Sequence, residues 1–141
     1  MSGSFFDTNV LLYLIGSDGA KSTVVEQLIK GGGNITVQVL NESANVLRRK
    51  KSLSWPALRK FIKDLETTFD ILPVTQAIHH DGLRLAERYG FSIYDSFIVA
   101  SALAADCDTL WSEDMQDGMV VDGRLTIANP FQADPPLIPT S

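Results

Sequence analysis

The sequence is poor in the residues that most often bind zinc or form covalent cross-links: one cysteine, Cys107, and two histidines, His79 and His80, in 141 residues. A lone cysteine forms no internal disulfide, so a reducing cytoplasm is the expected compartment. With no base beside it, Cys107 is read as a small buried hydrophobe. The adjacent histidines have no companion Cys or His at zinc-ligand spacing and are read as surface residues. Apolar runs are broken by Gly, Asp or Ser before they reach membrane-span length, so no membrane partner is expected. Met1-Ser2-Gly3-Ser4 also lacks the basic start and cleavage site of a secretory signal. There is no Gly-x-x-x-x-Gly-Lys-Ser/Thr phosphate loop, and Gly31-Gly32-Gly33 lacks the dinucleotide fingerprint. Asp7-Thr8-Asn9 lacks the second Asp, two residues on, of a haloacid-dehalogenase-like phosphatase.

Positive charge is scarce as well. The formal net charge of -5 argues at first against a nucleic-acid partner. Two features reduce that objection. Carboxylates gathered to hold Mg²⁺ or Mn²⁺ are offset by the ion, and seven of the twelve Lys and Arg residues fall between Arg48 and Lys63. One basic stretch on an acidic chain can attract a phosphate backbone locally.

What is present is the ordinary composition of one globular domain, 45% hydrophobic and 21% charged. Ser4–Phe6 reads as a buried strand that turns into a helix at Asp7-Thr8. A helix is expected from about Ala20 to Lys30, closed by the triple glycine. A short strand follows at 34–37, then a helix over 38–51 with Leu40, Ala44 and Leu47 on its buried face. Trp55-Pro56 opens another helix, to about Thr67. Residues 69–72 form a strand stopped by Pro73, and a helix runs from Thr75 to about Tyr89, ended by Gly90. Residues 94–105 are the most apolar helical segment, 109–111 a fourth strand and 125–128 a last, edge strand. Strands alternating with helices predict a single α/β domain, a mostly parallel central sheet flanked by helices, over 1–129. Residues 130–141 carry four of the six prolines and read as an irregular tail.

In such a sheet ligands bind at the carboxyl ends of the strands. Asp7 follows the first strand, Glu42 comes about one helical turn after the second, and Asp114 lies just past the fourth. Asp95 starts a helix on the face of Ile98, Val99 and Ala102, where a carboxylate is costly unless compensated. Each acid also has a purely structural reading. Asp7 can be an N-cap, and Asp95 a charge that the helix dipole welcomes. Glu42 can be a solvated residue on the face of Gln38, Asn45 and Arg49, and Asp114 a polar loop residue. The functional argument rests on their joint placement. Carboxylates without His or Cys partners favour hard divalent cations, Mg²⁺ or Mn²⁺, which activate water and neutralise phosphoryl charge. The run Arg48-Arg49-Lys50-Lys51 is either an RNA-phosphate contact, with Arg48 and Arg49 the candidates, or a solvated helix end. Trp55 and Trp111 either stack bases or serve core and dimer contacts.

These segments resemble a known family. Phe5-Phe6-Asp7-Thr8-Asn9-Val10-Leu11 is similar to the opening motif of PIN domains, and Gln38-Val39-Leu40-Asn41-Glu42 to their second acidic segment. Tyr94-Asp95-Ser96 resembles the third, and Leu110-Trp111-Ser112-Glu113-Asp114-Met115 the fourth. The order, size and spacing are most similar to VapC toxins, the ribonuclease half of toxin–antitoxin pairs. The resemblance implies a Mg²⁺- or Mn²⁺-dependent endoribonuclease leaving 5′-phosphate and 3′-hydroxyl ends. It also implies inhibition by a small VapB-type antitoxin and assembly as a homodimer. It makes Asp7, Glu42, Asp95 and Asp114 the catalytic set, with Asp7, Asp95 and Asp114 on the metal and Asn9 and Ser112 in support. Where the family often has a second acid two residues after the first, this chain has Gln116; Asp117, one later, is left as a supporting candidate. The alternative function is a catalytically inactive PIN-like protein-interaction module.

Overall fold

The computed structural model describes residues 3–132. A six-stranded sheet in the order β3-β2-β1-β4-β6-β5 carries the chain. Its strands are β1 (Gly3–Phe6), β2 (Asn34–Thr36), β3 (Asp70–Leu72), β4 (Cys107–Trp111), β5 (Val120–Val121) and β6 (Leu125–Ala128). All neighbours are parallel except β5 and β6. Six helices connect and cover them: α1 (Thr8–Leu11), α2 (Gly19–Leu28), α3 (Val37–Arg49), α4 (Trp55–Thr68), α5 (Gln76–Tyr89) and α6 (Ile93–Ala104). The expected α/β architecture is therefore observed. Among the described residues no helix is long and apolar enough to cross a membrane.

Helix starts follow local capping chemistry, in which a side-chain oxygen accepts one of the unpaired N–H groups of the first turn. Asp7, Asp18, Thr36, Ser54, Thr75 and Ser92 do this for α1 to α6 in turn. Gly90 ends α5 in the left-handed conformation, φ 79°. At Gly33 (φ 154°) a Cβ would stand 2.9 Å from the Phe6 ring, so glycine lets the chain enter β2 close against β1. Phe5 and Phe6 point to opposite faces of the sheet, and both are fully buried because helices cover both sides.

Two expectations need correction. The strand at Leu125–Ala128 is not an edge: β6 lies between β4 and the short β5, which sequence reading did not find. Two residues, Val120 and Val121, are too few to show a period. On α3 the fully buried line is Val39, Ser43 and Leu47, with Leu40 and Ala44 only partly covered. Of the tail, Phe131 packs edge-on against Tyr13 with ring centroids 4.9 Å apart; residues 133–141 lie outside the described residues.

Candidate active site

The strand order reverses direction at β1. Connections from β1 to β2 to β3 build one side of the sheet, and the chain then crosses back to lay β4 on the other side of β1. The carboxyl ends of β1 and β4 therefore flank a topological switch point, where open sheets leave a crevice. Register brings two polar residues together there. Phe6 pairs with Trp111, so the next residues, Asp7 and Ser112, leave the sheet side by side.

Both are buried, at 6% and 0% exposure. The Ser112 hydroxyl donates to Asp7 Oδ2 at 2.9 Å, and the Asn9 amide donates to the same oxygen at 3.3 Å. The Thr8 backbone N–H donates to Oδ1 at 2.7 Å. Asn9 also accepts the Glu113 backbone N–H at 3.1 Å, tying the loop after β4 to the start of α1. Asn9 and Ser112 thus both contact the Asp7 carboxylate.

Glu42 reaches the same edge from α3. The Thr8 hydroxyl donates to its Oε1 at 2.8 Å and the Gln38 amide to Oε2 at 3.2 Å. Sequence reading placed Gln38 on the face of Glu42 and Thr8 at a helix start, but gave neither a role at the site. Gln38 lies one turn before Glu42 on the same helix face, a signal that was available; the Thr8 contact spans distant segments and was not. Asp95 sits in the first turn of α6, half-buried, with the buried Ile98, Val99 and Ala102 on its face. Asp114 is exposed in the loop beyond β4, and the buried Met115 anchors that loop.

Electrostatics shows that the four acids share one region. Burial pushes the Asp7 carboxyl up to about 6; the Ser112 and Thr8 hydrogen bonds oppose this, and the negative charges of Asp95 and Glu42 add to it. Asp95 is also raised, first by burial, then by Asp114 and Glu42, with Ser92 opposing. None of the groups acting on Asp7 or Asp95 is a cation. Gathered carboxylates that raise one another's affinity for protons, with oxygen donors alone, match the chemistry of a hard divalent ion. The side chains do not close into a cage: among the described residues no three Asp, Glu, His or Cys groups stand together as a ready ligand set. The acids are neighbours on one edge, coupled by charge and open to solvent through Asp114.

The remaining candidates are placed less centrally. The Asp117 carboxylate accepts the Asn129 backbone N–H at 2.7 Å, which gives it work in the loop around β5 and β6. Arg48 is turned away into its own helix end, donating to the Leu53 carbonyl at 2.7 Å and lying 4.1 Å over the Trp55 ring. Arg49 is exposed and forms no ion pair among the described residues. The Trp111 indole donates to Ser4 Oγ at 3.3 Å, a contact within the sheet layer. His79 and His80 are exposed, and Cys107 is buried.

A further polar cluster flanks the site. Lys21 pairs with Glu113 at 2.8 Å and donates to the Tyr13 hydroxyl at 3.2 Å; the hydroxyl in turn donates to Glu113 at 2.7 Å. The Lys21 ammonium lies 4.8 Å from the centroids of both the Tyr13 and Phe131 rings. Burial works to raise Glu113, but the Lys21 and Tyr13 hydrogen bonds hold it below the usual carboxylate range. Nothing in the local sequence pairs residues 21 and 113, so this cluster was not legible beforehand.

The PIN domain family model matches residues 4–116, and the chain belongs to that family. Its structure is similar to a toxin–antitoxin complex from Klebsiella pneumoniae, with TM-score 0.70, 19% identity, and coverage of 91% of this chain and 98% of that one. It is also similar to VapBC2 from Rickettsia felis, solved bound to a DNA fragment from its promoter (TM-score 0.64, 20% identity, 89% and 97% covered). A third similar structure is the sarcin–ricin-loop-cleaving toxin VapC20 of Mycobacterium tuberculosis (TM-score 0.62, 17% identity, 76% and 86% covered). At these identities the likeness is one of fold. No curated protein matches the chain.

Proposed function

We propose that this protein is a divalent-metal-dependent endoribonuclease and the toxin half of a VapBC-type toxin–antitoxin pair, working in the cytoplasm. The observation that carries the reading is the buried Asp7 at the switch point, held by Ser112, Asn9 and Thr8 and coupled by charge to Glu42 and Asp95. Asp7, Asp95 and Asp114 would hold Mg²⁺ or Mn²⁺, which supplies polarisation of a phosphoryl oxygen and of water. Asp95 and Asp114, less buried than Asp7, would hold the ion from the open side of the site.

The chain's own groups have distinct tasks in this reading. Ser112 and Asn9 fix the Asp7 carboxylate, and the Ser112 and Thr8 hydrogen bonds favour its charged form. Thr8 and Gln38 hold Glu42, which faces the attacking water as the proton acceptor or joins the ligands. The switch-point crevice orients the RNA backbone. Belonging to the PIN family and the fold shared with toxin–antitoxin structures support this assignment, together with a small antitoxin partner and a homodimer. A second reading, an interaction module without catalysis, draws on the absence of a ready three-ligand set among the described residues.

A cleavage assay on single-stranded RNA separates the two. Cleavage that needs Mg²⁺ or Mn²⁺, stops with EDTA and is lost in both Asp7→Asn and Asp95→Asn is the expected result. No cleavage of any RNA by wild-type protein, or cleavage indifferent to EDTA and to both substitutions, refutes the nuclease reading.

A further inference from the structure

A cavity of about 300 Å³ adjoins the acidic edge, bordered by Asn9, Tyr13, Ile15, Ser17, Lys51 and Glu113. Asn9 is a wall common to both: its amide nitrogen donates to Asp7 and its oxygen accepts from Glu113. The charges around the cavity are mostly satisfied. Glu113 is paired with Lys21, and the Asp18 carboxylate accepts the Lys21 backbone N–H as the cap of α2. Lys51 is different. It forms no ion pair among the described residues, and its Nζ lies 3.9 Å from where a Cβ on Gly16 would be. The last residue of the basic run thus lines the cavity, whereas Arg48 is held by Leu53 and Trp55.

The lining also includes an aromatic ring fixed in place. Tyr13 is clamped through its hydroxyl to Glu113 and Lys21, with its ring edge-on to Phe131, and the partly buried Leu12 and Ile15 continue the apolar lining. An unpaired ammonium, a rigid apolar and aromatic wall and an amide form the recognition chemistry of one nucleotide: phosphate on the cation, base against the ring. The volume lies at the small end of ligand sites, about 300–1,000 Å³.

We infer that this cavity is a subsite for one nucleotide of single-stranded RNA next to the cleaved bond, with Lys51 receiving its phosphate and the Tyr13 side its base. The inference rests on the nuclease reading for its placement, since it seats the neighbouring nucleotide beside Asp7. It accounts for how an acidic edge engages a polyanion: the attraction comes from Lys51 in the cavity lining rather than from Arg48.

The test is a titration of fluorescein-labelled single-stranded RNA into the full chain in EDTA at several salt concentrations, with metal-dependent cleavage of the same RNA followed in parallel. Lys51→Ala is expected to weaken binding roughly three- to tenfold and to lower the slope of log affinity against log salt by about 0.7, one phosphate contact on a single strand. Ser17→Trp, a change at an exposed loop position that fills the cavity, is expected to weaken binding with the slope unchanged. Lys30→Ala, exposed ahead of β2 at the far edge of the sheet, is expected to leave both unchanged. Affinity and slope that are the same in Lys51→Ala as in wild type overturn the subsite, as does wild-type protein that binds no RNA. Unchanged Lys51→Ala binding with cleavage intact defeats the subsite alone; Lys51-dependent binding without cleavage supports nucleotide binding in the cavity but defeats the nuclease reading and, with it, the placement beside a cleaved bond.

Discussion

The Ser112 hydroxyl donates to Asp7 Oδ2 across 2.9 Å, joining the ends of two parallel strands that run in register up to Phe6 and Trp111. This bond opposes the burial that raises the Asp7 carboxyl to about 6. Without it Asp7 is protonated over a wider range. Ser112→Ala is therefore expected to move the acid limb of the pH–rate profile upward, with kcat at neutral pH down roughly tenfold, since one charge-assisted hydrogen bond is worth about 1.5–3 kcal/mol. An unshifted acid limb would show that Ser112 does not set the Asp7 charge state.

Asp7 itself should oppose stability. Its folded pKa, about 6, lies above the ordinary value of 3.8, so between these pH values the folded chain binds more protons than the unfolded one. Its contribution to stability then falls as pH rises through that window and stays low above it. The penalty at neutral pH is at most about 3 kcal/mol, each pKa unit being about 1.4 kcal/mol. In EDTA at pH 7.5, Asp7→Asn is expected to melt several degrees higher than wild type, with the gain shrinking near pH 4, while cleavage is lost. Equal destabilisation at both pH values would contradict this account.

Thr8 holds Glu42 through a 2.8 Å bond from α1 to α3. Thr8→Val keeps the shape and removes the donor. It is expected to lower kcat more than it changes KM, because Glu42 is assigned to proton transfer or to the metal rather than to RNA binding. A rise in KM with kcat unchanged would move Glu42 to the binding surface. Thr8→Ser, which restores the hydroxyl, should recover most of the rate.

Much of this was legible in the sequence for definite reasons. The helix starts were visible because Asp7, Thr75 and their like are caps whose chemistry is local. Asp7, Glu42 and Asp114 were visible because they follow strand ends, which the α/β alternation places on one edge, and Asp95 because it stands on an apolar helix face. What was not legible depends on register and on distant partners: the Thr8–Glu42 bond, the Lys21–Glu113–Tyr13 cluster and the position of β6 inside the sheet. Sequence spacing predicted that Arg49 would point toward Glu42, but it did not reveal that Arg48 would be held at the helix end while Lys51 lined the cavity.

Ser43 presents a separate case. It is fully buried on α3, and its hydroxyl has no hydrogen-bond partner among the described residues. A buried unpaired hydroxyl costs about 1–3 kcal/mol, and Ala is the better helix former. Ser43→Ala is expected to raise the denaturation midpoint, equivalent to roughly 1 kcal/mol or more, in urea unfolding with an unchanged slope. A lower midpoint would mean that the hydroxyl is satisfied in solution.

The central claim, that acids from β1, α3, α6 and the loop after β4 act as one cation site, is tested most directly by calorimetric titration of Mn²⁺ into wild type, Asp7→Asn, Asp95→Asn and Asp117→Asn at pH 7.5. The account predicts saturable binding by wild type and Asp117→Asn that is lost or weakened at least roughly tenfold in Asp7→Asn and Asp95→Asn. Identical binding isotherms for all four proteins, or none in wild type, would contradict it.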